Sequence, residues 1–584
     1  MDKLCKNRTH DNGELRLKDE GKVVELKGWC AKKRNLGSLV FIDLRDKHGI
    51  TQLRLNEKFA DIANQIKTEY VLYAKGVVEK RESINKNIPT GEIEINVEDI
   101  QIINKAEQIP IYITDDPDAV SENVRLKYRY LDLRRKSMQD ILKLRHNVTR
   151  SVRAYLDSLD FTEVETPILA KSTPEGARDY LVPSRVHNGT FYALPQSPQL
   201  FKQLLMVSGL ERYYQIARCF RDEDLRADRQ PEFTQIDIEC SFIDLDTLLS
   251  ILEGMFKKIW LDITGSDNLE FPRMTWKEVM DNYGSDKPDL RYEMKLIDIS
   301  RYFEESEFDF LKKKVVKAIV VKNHADSFTR KEIDKLADLA KLFKAKGLCY
   351  FKVNENNLEG PSAKLIPESI RESLQQTLGY ENNDLVLFVA DDWQSACTAM
   401  GQVRIAVARK LDLADPNIYK FLWVMEFPMY EYTDDGHLQA MHHPFTAYMK
   451  EDEKYIQDEP LKVRSNAYDL VLNGYELGSG SVRIYDQDMQ RKVFERIGLS
   501  DEDINYKFGF FVEALKYGTP PHMGMGFGLE RIIMILAKTN NIRDVVAFPK
   551  IQSAADLMQD SPSTVEKDAL DMLGIQLKEE IKDE

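Results

Sequence analysis

Arg218-Cys219-Phe220-Arg221-Asp222-Glu223-Asp224-Leu225-Arg226-Ala227-Asp228-Arg229-Gln230-Pro231-Glu232-Phe233 is the most informative stretch of this 584-residue chain. A strand-like run, Tyr213–Phe220, leads into it, and a second, Phe233–Phe242, leaves it. Two strands joined by a loop dense in both charges are expected. Side chains alternate along a strand, so Phe233, Gln235, Asp237 and Glu239 share one face while Thr234, Ile236 and Ile238 share the other. A polar face that begins with an aromatic suits a planar ring with polar groups beside it. The exposed side of an antiparallel sheet carries the same pattern. Arg221 and Glu223 at the strand end favour a ligand.

Four other stretches carry chemistry. In Ala467–Ile484, Asn473-Gly474 between alternating apolar runs predicts a tight hairpin. Val471 then faces Glu476, and Asp469 is a diagonal neighbour of Glu476, roughly 7–8 Å away. Two such carboxylates suit Mg²⁺ bridging phosphates, or are simply two solvated acids. Gly478-Ser479-Gly480 leaves room for a ligand to approach the backbone, and Arg483 follows. In Gly524–Arg531, glycines feed an apolar helix whose first turn carries Arg531, a pattern that suits a phosphate. His442-His443-Pro444-Phe445 reads as a turn with one packed histidine or as a site segment. In Gln196–Lys202, Gln199 and Lys202 lie three apart on one helix face.

Beyond these stretches the chain changes character. Lys22–Trp29, Ser38–Leu44, Gly49–Leu55, Val71–Val78 and Glu92–Ile103 read as five short strands. They suit an OB-fold barrel or another small β domain. Residues 106–135 read as a linker, with a turn at Asp115–Asp118 and a basic run, Arg125–Arg135, whose default is a solvated face. A helix is expected over Met138–Leu159. Strands and helices alternate regularly over about 290–414, which predicts a separate α/β unit interrupting the main domain.

Composition sets the limits. Hydrophobic residues at 43% and charged residues at 31% permit large cores and exclude general disorder. No apolar run approaches the ~20 residues of a membrane span, and the N-terminus has no apolar signal region. A cytoplasmic protein is expected. Six cysteines without a C-x-x-C pair are neither a disulfide framework nor a zinc site. A net charge of −15 argues, on the average over the chain, against a non-specific nucleic-acid binder. Residues 1–105 nevertheless carry 20 Lys/Arg against 17 Asp/Glu, a local +3 that could meet a polyanion.

Together these stretches resemble the class II aminoacyl-tRNA synthetases. Phe161–Leu169 with Glu165-Thr166-Pro167 resembles motif 1, Phe220–Glu223 through Phe233 resembles motif 2, and Gly524–Arg531 resembles motif 3. Thr173–Tyr180, Gln196–Lys202, Arg221–Asp237, Met441–Phe445 and Gly474–Arg483 narrow the resemblance to the bacterial-type aspartyl-tRNA synthetases, over essentially the whole chain. The resemblance implies an α+β multidomain protein. An OB-fold anticodon-binding barrel (1–105) and a linker (106–135) would precede an antiparallel catalytic sheet flanked by helices (136–290 and 415–560). That sheet would be split by an inserted α/β domain (291–414) like one shared with an amidotransferase subunit. A C-terminal extension (561–584) would follow. A homodimer built partly through motif 1, with Pro167 near the interface, is also implied.

The implied partners are ATP, L-aspartate, Mg²⁺ and tRNA(Asp), with no membrane and no DNA. The implied reaction runs through aspartyl-adenylate and needs no protein nucleophile. Arg221 would bind the α-phosphate. Arg531 would reach the γ-phosphate and cover the adenine opposite Phe233. Asp222, Glu223, Gln230, Gly528, Leu529 and Glu530 would complete the ATP site. Asp469 and Glu476 would hold Mg²⁺, and Arg221, Arg531 and Glu476 would be the catalytic set. Lys202 and Arg483 would hold the aspartate side chain, while Glu175, Gln199 and Asp237 would face its ammonium. Arg221 would touch the α-carboxylate, and Ser197, His442 and His443 would close over the substrate. Asparagine would leave the two cations without a counter-charge, a discrimination of roughly 10⁴-fold. In the barrel, Arg34, Phe41, Gln52 and Glu94 fall on anticodon-reading positions, although Phe41 alone also reads as a core aromatic.

Rivals are weighed on the same residues. A lysyl- or asparaginyl-tRNA synthetase conflicts with the insert and the Lys202/Arg483 pair. A non-catalytic tRNA-binding paralogue would lack Arg221, Glu476 or Arg531, and all three are present. A tRNA-independent ligase conflicts with the barrel. Some family members charge tRNA(Asp) alone and others also tRNA(Asn). Leu36 resembles the strict type.

Overall fold

A computed structural model describes residues 7–116, 119–173, 177–225, 228–355, 357–433 and 435–578. They form two compact units. One takes the chain up to Lys143 together with Val546–Ile551 and Ala555–Ser563. The other holds Leu144–Val545 and two further short pieces.

In the first unit, β1 (Val23–Leu36), β2 (Leu39–Asp46), β3 (Gly49–Leu55), β4 (Val71–Lys80) and β5 (Ile93–Asn104) close a barrel in the order β1-β2-β3-β5-β4. Strict alternation sends Val24, Leu26, Ile42, Leu44, Leu72 and Ile95 into its core. This is the expected OB-fold. The basic run differs from its expectation. Short helices at Glu122–Lys127 and Arg129–Asp132 fold Arg129 and Arg135 inward around Asp132, which is 0% exposed. Arg129 also donates to the Val546 and Ala547 carbonyls. One buried carboxylate shared by several guanidiniums accounts for a run that composition alone assigns to solvent.

The second unit is built on an eight-stranded sheet. Its strands are β6 (Thr162–Glu163), β9 (Arg212–Phe220), β10 (Glu232–Ser241), β11 (Arg273–Thr275), β17 (Phe421–Met425), β20 (Ala467–Leu472), β21 (Tyr475–Val482) and β22 (His522–Gly528). The order is β11-β17-β20-β21-β22-β10-β9-β6, antiparallel except where the edge strands β11 and β6 join. Hairpins β7/β8 (Leu181–Pro183, Phe191–Ala193) and β18/β19 (Tyr430–Tyr432, Leu438–Ala440) lie outside it. The apolar helix Leu245–Thr264 supplies Leu248, Leu252, Phe256 and Trp260 to the core.

Between β11 and β17 the chain forms a separate five-stranded sheet, order β12-β13-β16-β14-β15 (Ile297–Asp298, Val315–Val321, Leu385–Asp391, Cys349–Asn354, Asn357–Glu359). Helices Arg330–Leu342, Glu368–Leu378 and Trp393–Lys410 alternate with its strands. The strands pair antiparallel throughout. Helices 330–342 and 393–410 cover one face of the sheet and helix 368–378 the other.

Cysteines 30, 219, 240, 349 and 397 are free, and burial pushes the Cys30 thiol up to about 12. They act as small apolar side chains. Cys5 lies outside the described residues. Among the described residues no helix is long and apolar enough to cross a membrane.

Candidate active site

Strand β10 carries the site. Its polar face does not point to bulk solvent: Asp237 is 1% exposed and Glu239 0%. The reason lies in the neighbouring strand. Gly524, Gly526 and Gly528 of β22 stand opposite Glu239, Asp237 and Gln235. Lacking side chains, they leave the floor of the sheet open to these polar groups. A Cβ on Gly526 would sit 3.2 Å from the Gln235 Oε1. The glycines thus belong to a strand and not to a phosphate-cradling loop. Those of β22 pair with β10 and β21, and Gly528 caps the helix Leu529–Ala537.

A cavity of about 460 Å³ opens over this floor. At one end lie two buried cations and two buried carboxylates. Lys202 Nζ is 2.6 Å from Asp237 Oδ1 and 3.3 Å from Glu239 Oε2. Arg483 donates to both Glu239 oxygens at 2.9 and 3.1 Å. Burial holds the Asp237 carboxyl above its ordinary range, outweighing Lys202. Burial acts the same way on Glu239, but Arg483 and Lys202 outweigh it and hold that carboxyl low. Two polar atoms here are buried without a hydrogen-bond partner: Asp237 Oδ2 and Gln199 Nε2. Such atoms are costly unless a ligand meets them.

Arg483 Nη1 donates to Ser481 Oγ at 2.6 Å and to His443 Nε2 at 2.8 Å. The ring can accept only while that nitrogen is unprotonated. Burial and the Arg483 charge hold His443 well below 6.5, in agreement. His442 behaves oppositely. Burial pulls it down, but Asp469, 3.6 Å away, outweighs this and raises it. A depressed histidine binds its proton more readily when unfolded. Its contribution is therefore full above about 6.5 and is lost as pH falls below that value. The raised His442 contributes in the opposite sense, so the test is a difference: between pH 7 and 5.5 thermal denaturation should show the unaltered protein losing more stability on acidification than a His443 variant. His443→Gln should flatten the slope by up to ~1.4 kcal/mol per pH unit.

The other end of the cavity is a slot. The Arg221 guanidinium lies 5.1 Å from the Phe233 ring centre. Its backbone N–H is tied to the Pro231 carbonyl at 2.8 Å, and its Nε is buried without a partner. Arg531 donates to the Glu476 carbonyl at 2.7 Å and lies 3.3 Å from Asp228. Glu223 is paired with Arg229 at 2.7 Å.

Of the expected residues, Ser197, Gln199, Lys202, Arg221, Glu223, Gln230, Phe233, Asp237, His442, His443, Glu476, Arg483, Gly528, Glu530 and Arg531 border this one cavity. Asp222, Asp469 and Leu529 are not part of its lining. Asp222 meets Arg178 at 3.6 Å, and Leu529 is in the core. Glu175 lies outside the described residues. Glu530 borders the cavity, but its carboxylate accepts the Thr234 N–H and an Arg145 N–H.

The hairpin expectation is corrected. Val471 does face Glu476, and Asn473 and Gly474 both take positive φ. A bulge after Leu470 then moves the partner of Asp469 to Ser479, which breaks the simple diagonal with Glu476. Among the described residues no cluster of three or more acidic, His or Cys side chains could hold a metal. Asp469 Oδ1 is nevertheless buried without a hydrogen bond. Sequence alone does not single out Asp228, Ser481 and Thr446, although Asp228 and Ser481 lie inside stretches that it does: only the fold brings Asp228 to Arg531 and Ser481 to Arg483 and Thr446.

The barrel gathers its own set. Arg34 donates to Gln52 Oε1 at 2.9 Å, and Gln52 Nε2 donates to Glu94 at 2.7 Å. Phe41 is half-buried beside Arg34, between the core residues Val40 and Ile42, so its ring is on the outer face and not in the core. Arg54 and Arg81 join the network through Glu94 and Gln52. Sequence reading missed both.

The family model for tRNA synthetases class II (D, K and N) matches residues 121–552, and that for the OB-fold nucleic acid binding domain matches 24–103. The chain is 51% identical to an aspartate–tRNA ligase of Macrococcus caseolyticus (strain JCSC5402), over 98% of both chains. It is 50% identical, over the same share, to an aspartate–tRNA(Asp/Asn) ligase of Bacillus cereus (strain ATCC 10987). In fold it is similar to the Pyrococcus horikoshii asparaginyl-tRNA synthetase complexed with asparaginyl-adenylate. The TM-score is 0.58 at 18% identity, covering 92% of this chain and 96% of that one. The Entamoeba histolytica aspartyl-tRNA synthetase gives 0.56 at 19%, covering 91% and 89%. The chain belongs to the class II tRNA synthetases of the D, K and N group and, within them, to the aspartate–tRNA ligase family.

Proposed function

We propose that the chain joins L-aspartate to tRNA(Asp), using ATP and releasing AMP and pyrophosphate. The observation that carries this is the cavity end where Lys202 and Arg483 are both 2% exposed. Two fixed cations there suit a side-chain carboxylate, and the unpartnered Asp237 Oδ2 suits an ammonium group. Asparagine would bring N–H donors to those cations.

The opposite end suits ATP, with adenine between Phe233 and Arg531, Glu223 and Gln230 at its edge, and Arg221 on the α-phosphate. An α-carboxylate oxygen of aspartate bonds to the α-phosphorus. The bond to the bridging oxygen breaks, and pyrophosphate leaves with the electron pair. A terminal ribose oxygen of the tRNA then bonds to the acyl carbon, AMP leaves, and the hydroxyl proton is released. The protein orients the reactants and stabilises developing charge, with no side chain acting as nucleophile. Mg²⁺ would neutralise phosphate charge, with Glu476 on the cavity and Asp469, 3.6 Å from His442, as the carboxylates to hold it.

The barrel would read the anticodon, with Phe41 stacking a base. Phe41→Ala should raise KM for tRNA about 5- to 150-fold, the range for one lost stack, and leave pyrophosphate exchange unchanged. We read residues 1–105 as this domain, 106–135 as its connector, 136–290 and 415–560 as the catalytic domain, 291–414 as the insert and 561–584 as an extension. A homodimer is supported by the exposed Ile168 and Leu169 in motif 1. The cytoplasm is the compartment that free thiols and this activity suit.

Aminoacylation with radiolabelled aspartate, ATP and Mg²⁺, on separate transcripts of tRNA(Asp) and tRNA(Asn), tests the proposal. Charging of tRNA(Asp) alone is expected, with Leu36 exposed at the β1–β2 turn. Equal charging of both would make this the non-discriminating enzyme. No charging and no aspartate-dependent exchange would make it a tRNA-binding paralogue.

A further inference from the structure

Glu530 and Arg531 are neighbours in the first turn of the helix Leu529–Ala537, yet they do different things. Arg531 reaches the cavity rim at Glu476. Glu530 is 2% exposed, and its two oxygens accept the Thr234 N–H at 3.2 and 3.1 Å. Thr234 directly follows Phe233. The bond therefore ties the helical turn that carries Arg531 to the strand that carries Phe233, two residues that line the cavity. A carboxylate this buried needs a cation. Arg145, on the helix Lys136–Ser158, supplies it: Nη2 donates to Glu530 Oε1 at 2.9 Å and to Thr234 Oγ1 at 2.8 Å. Arg145 is not part of the cavity lining.

We infer that Arg145 is a positioning residue for ATP: by neutralising Glu530 against Thr234 it sets the width of the slot between Phe233 and Arg531. This rests on reading the slot as the ATP site. Without the arginine the carboxylate is an uncompensated buried charge. It turns toward water, and its bond to the strand slackens. Aspartate, held at the far end by Lys202 and Arg483, has no contact through this strut.

Calorimetric binding of ATP without aspartate, and KM for ATP and aspartate in pyrophosphate exchange, test this on Arg145→Met, Arg145→Lys and Arg145→Met with Glu530→Gln. Arg145→Met should weaken ATP about tenfold or more and leave KM for aspartate within twofold. Arg145→Lys should recover much of the loss. The double variant should bind ATP no worse than Arg145→Met, because the charge left unpaired is gone. Unchanged ATP binding in Arg145→Met would overturn the inference and leave the ATP site standing. A parallel rise in both KM values would reduce Arg145 to a general structural role. Failure of the unaltered protein to bind ATP would overturn the ATP site and the inference together.

Discussion

Arg483→Leu should lower kcat/KM for aspartate by about 10²–10⁴-fold while leaving KM for ATP within a few-fold. The magnitude follows from burial. Truncating one partner of a buried, hydrogen-bonded charge pair with a ligand costs about 2–5 kcal/mol of binding, which is about 10²–10⁴-fold. Arg483 is 2% exposed and makes two bonds to Glu239, one to Ser481 and one to His443. Its loss removes a cation facing the cavity and also strands Glu239. The two effects separate in a second variant. Arg483→Leu with Glu239→Gln deletes both charges, so thermal stability should recover much of what the single change loses. Aspartate-dependent exchange should not recover, since the cation is still absent. Recovery of exchange in the double variant would show that Arg483 serves the fold alone, and the aspartate reading of this cavity end would fall. Lys202→Met should behave alike, through the bond to Asp237 at 2.6 Å.

The sequence showed the site where pattern and chemistry coincide. Alternation along Phe233–Glu239 put four polar-face residues on one side, and the structure keeps them there, above the glycines of β22. The spacing of Gln199 and Lys202 put both on one helix face, and both border the cavity. What stayed hidden depends on long-range pairing. The bulge after Leu470 is set by how β20 meets β21, and no local signal marks it. Arg145 looks like any helical arginine until Glu530, 385 residues on, is folded against it. The basic run at Arg125–Arg135 looks solvated because its shared carboxylate, Asp132, is one acid among many. The alternating middle region gave its helices correctly but not its antiparallel pairing, since periodicity fixes elements and not their partners.

Arg221→Gln should leave folding intact, weaken aspartate binding only through the lost contact to its α-carboxylate, and lower kcat of exchange by about 10²–10³-fold, the cost of deleting one preorganised charge-stabilising donor. The side chain is held ready before any ligand arrives. The Arg221 backbone N–H is fixed to Pro231, the guanidinium lies over Phe233 at 5.1 Å, and the buried Nε has no partner to lose. Such a donor costs little to reorganise when charge builds on the α-phosphate during attack. That gain belongs to the transition state, so the loss should appear in kcat, with KM for ATP moving only a few-fold. Arg221→Lys separates charge from shape. An ammonium restores the charge but not the planar fork, so it should recover only part of the rate. Pyrophosphate exchange and single-turnover formation of aspartyl-adenylate read the same step by different routes. If Arg221→Gln raised KM for ATP strongly and left kcat untouched, Arg221 would hold the nucleotide in its ground state, and the in-line step would lose its proposed charge stabiliser. If Arg221→Lys matched the unaltered protein, charge alone would suffice, and the stacked guanidinium geometry would have no part in the chemistry.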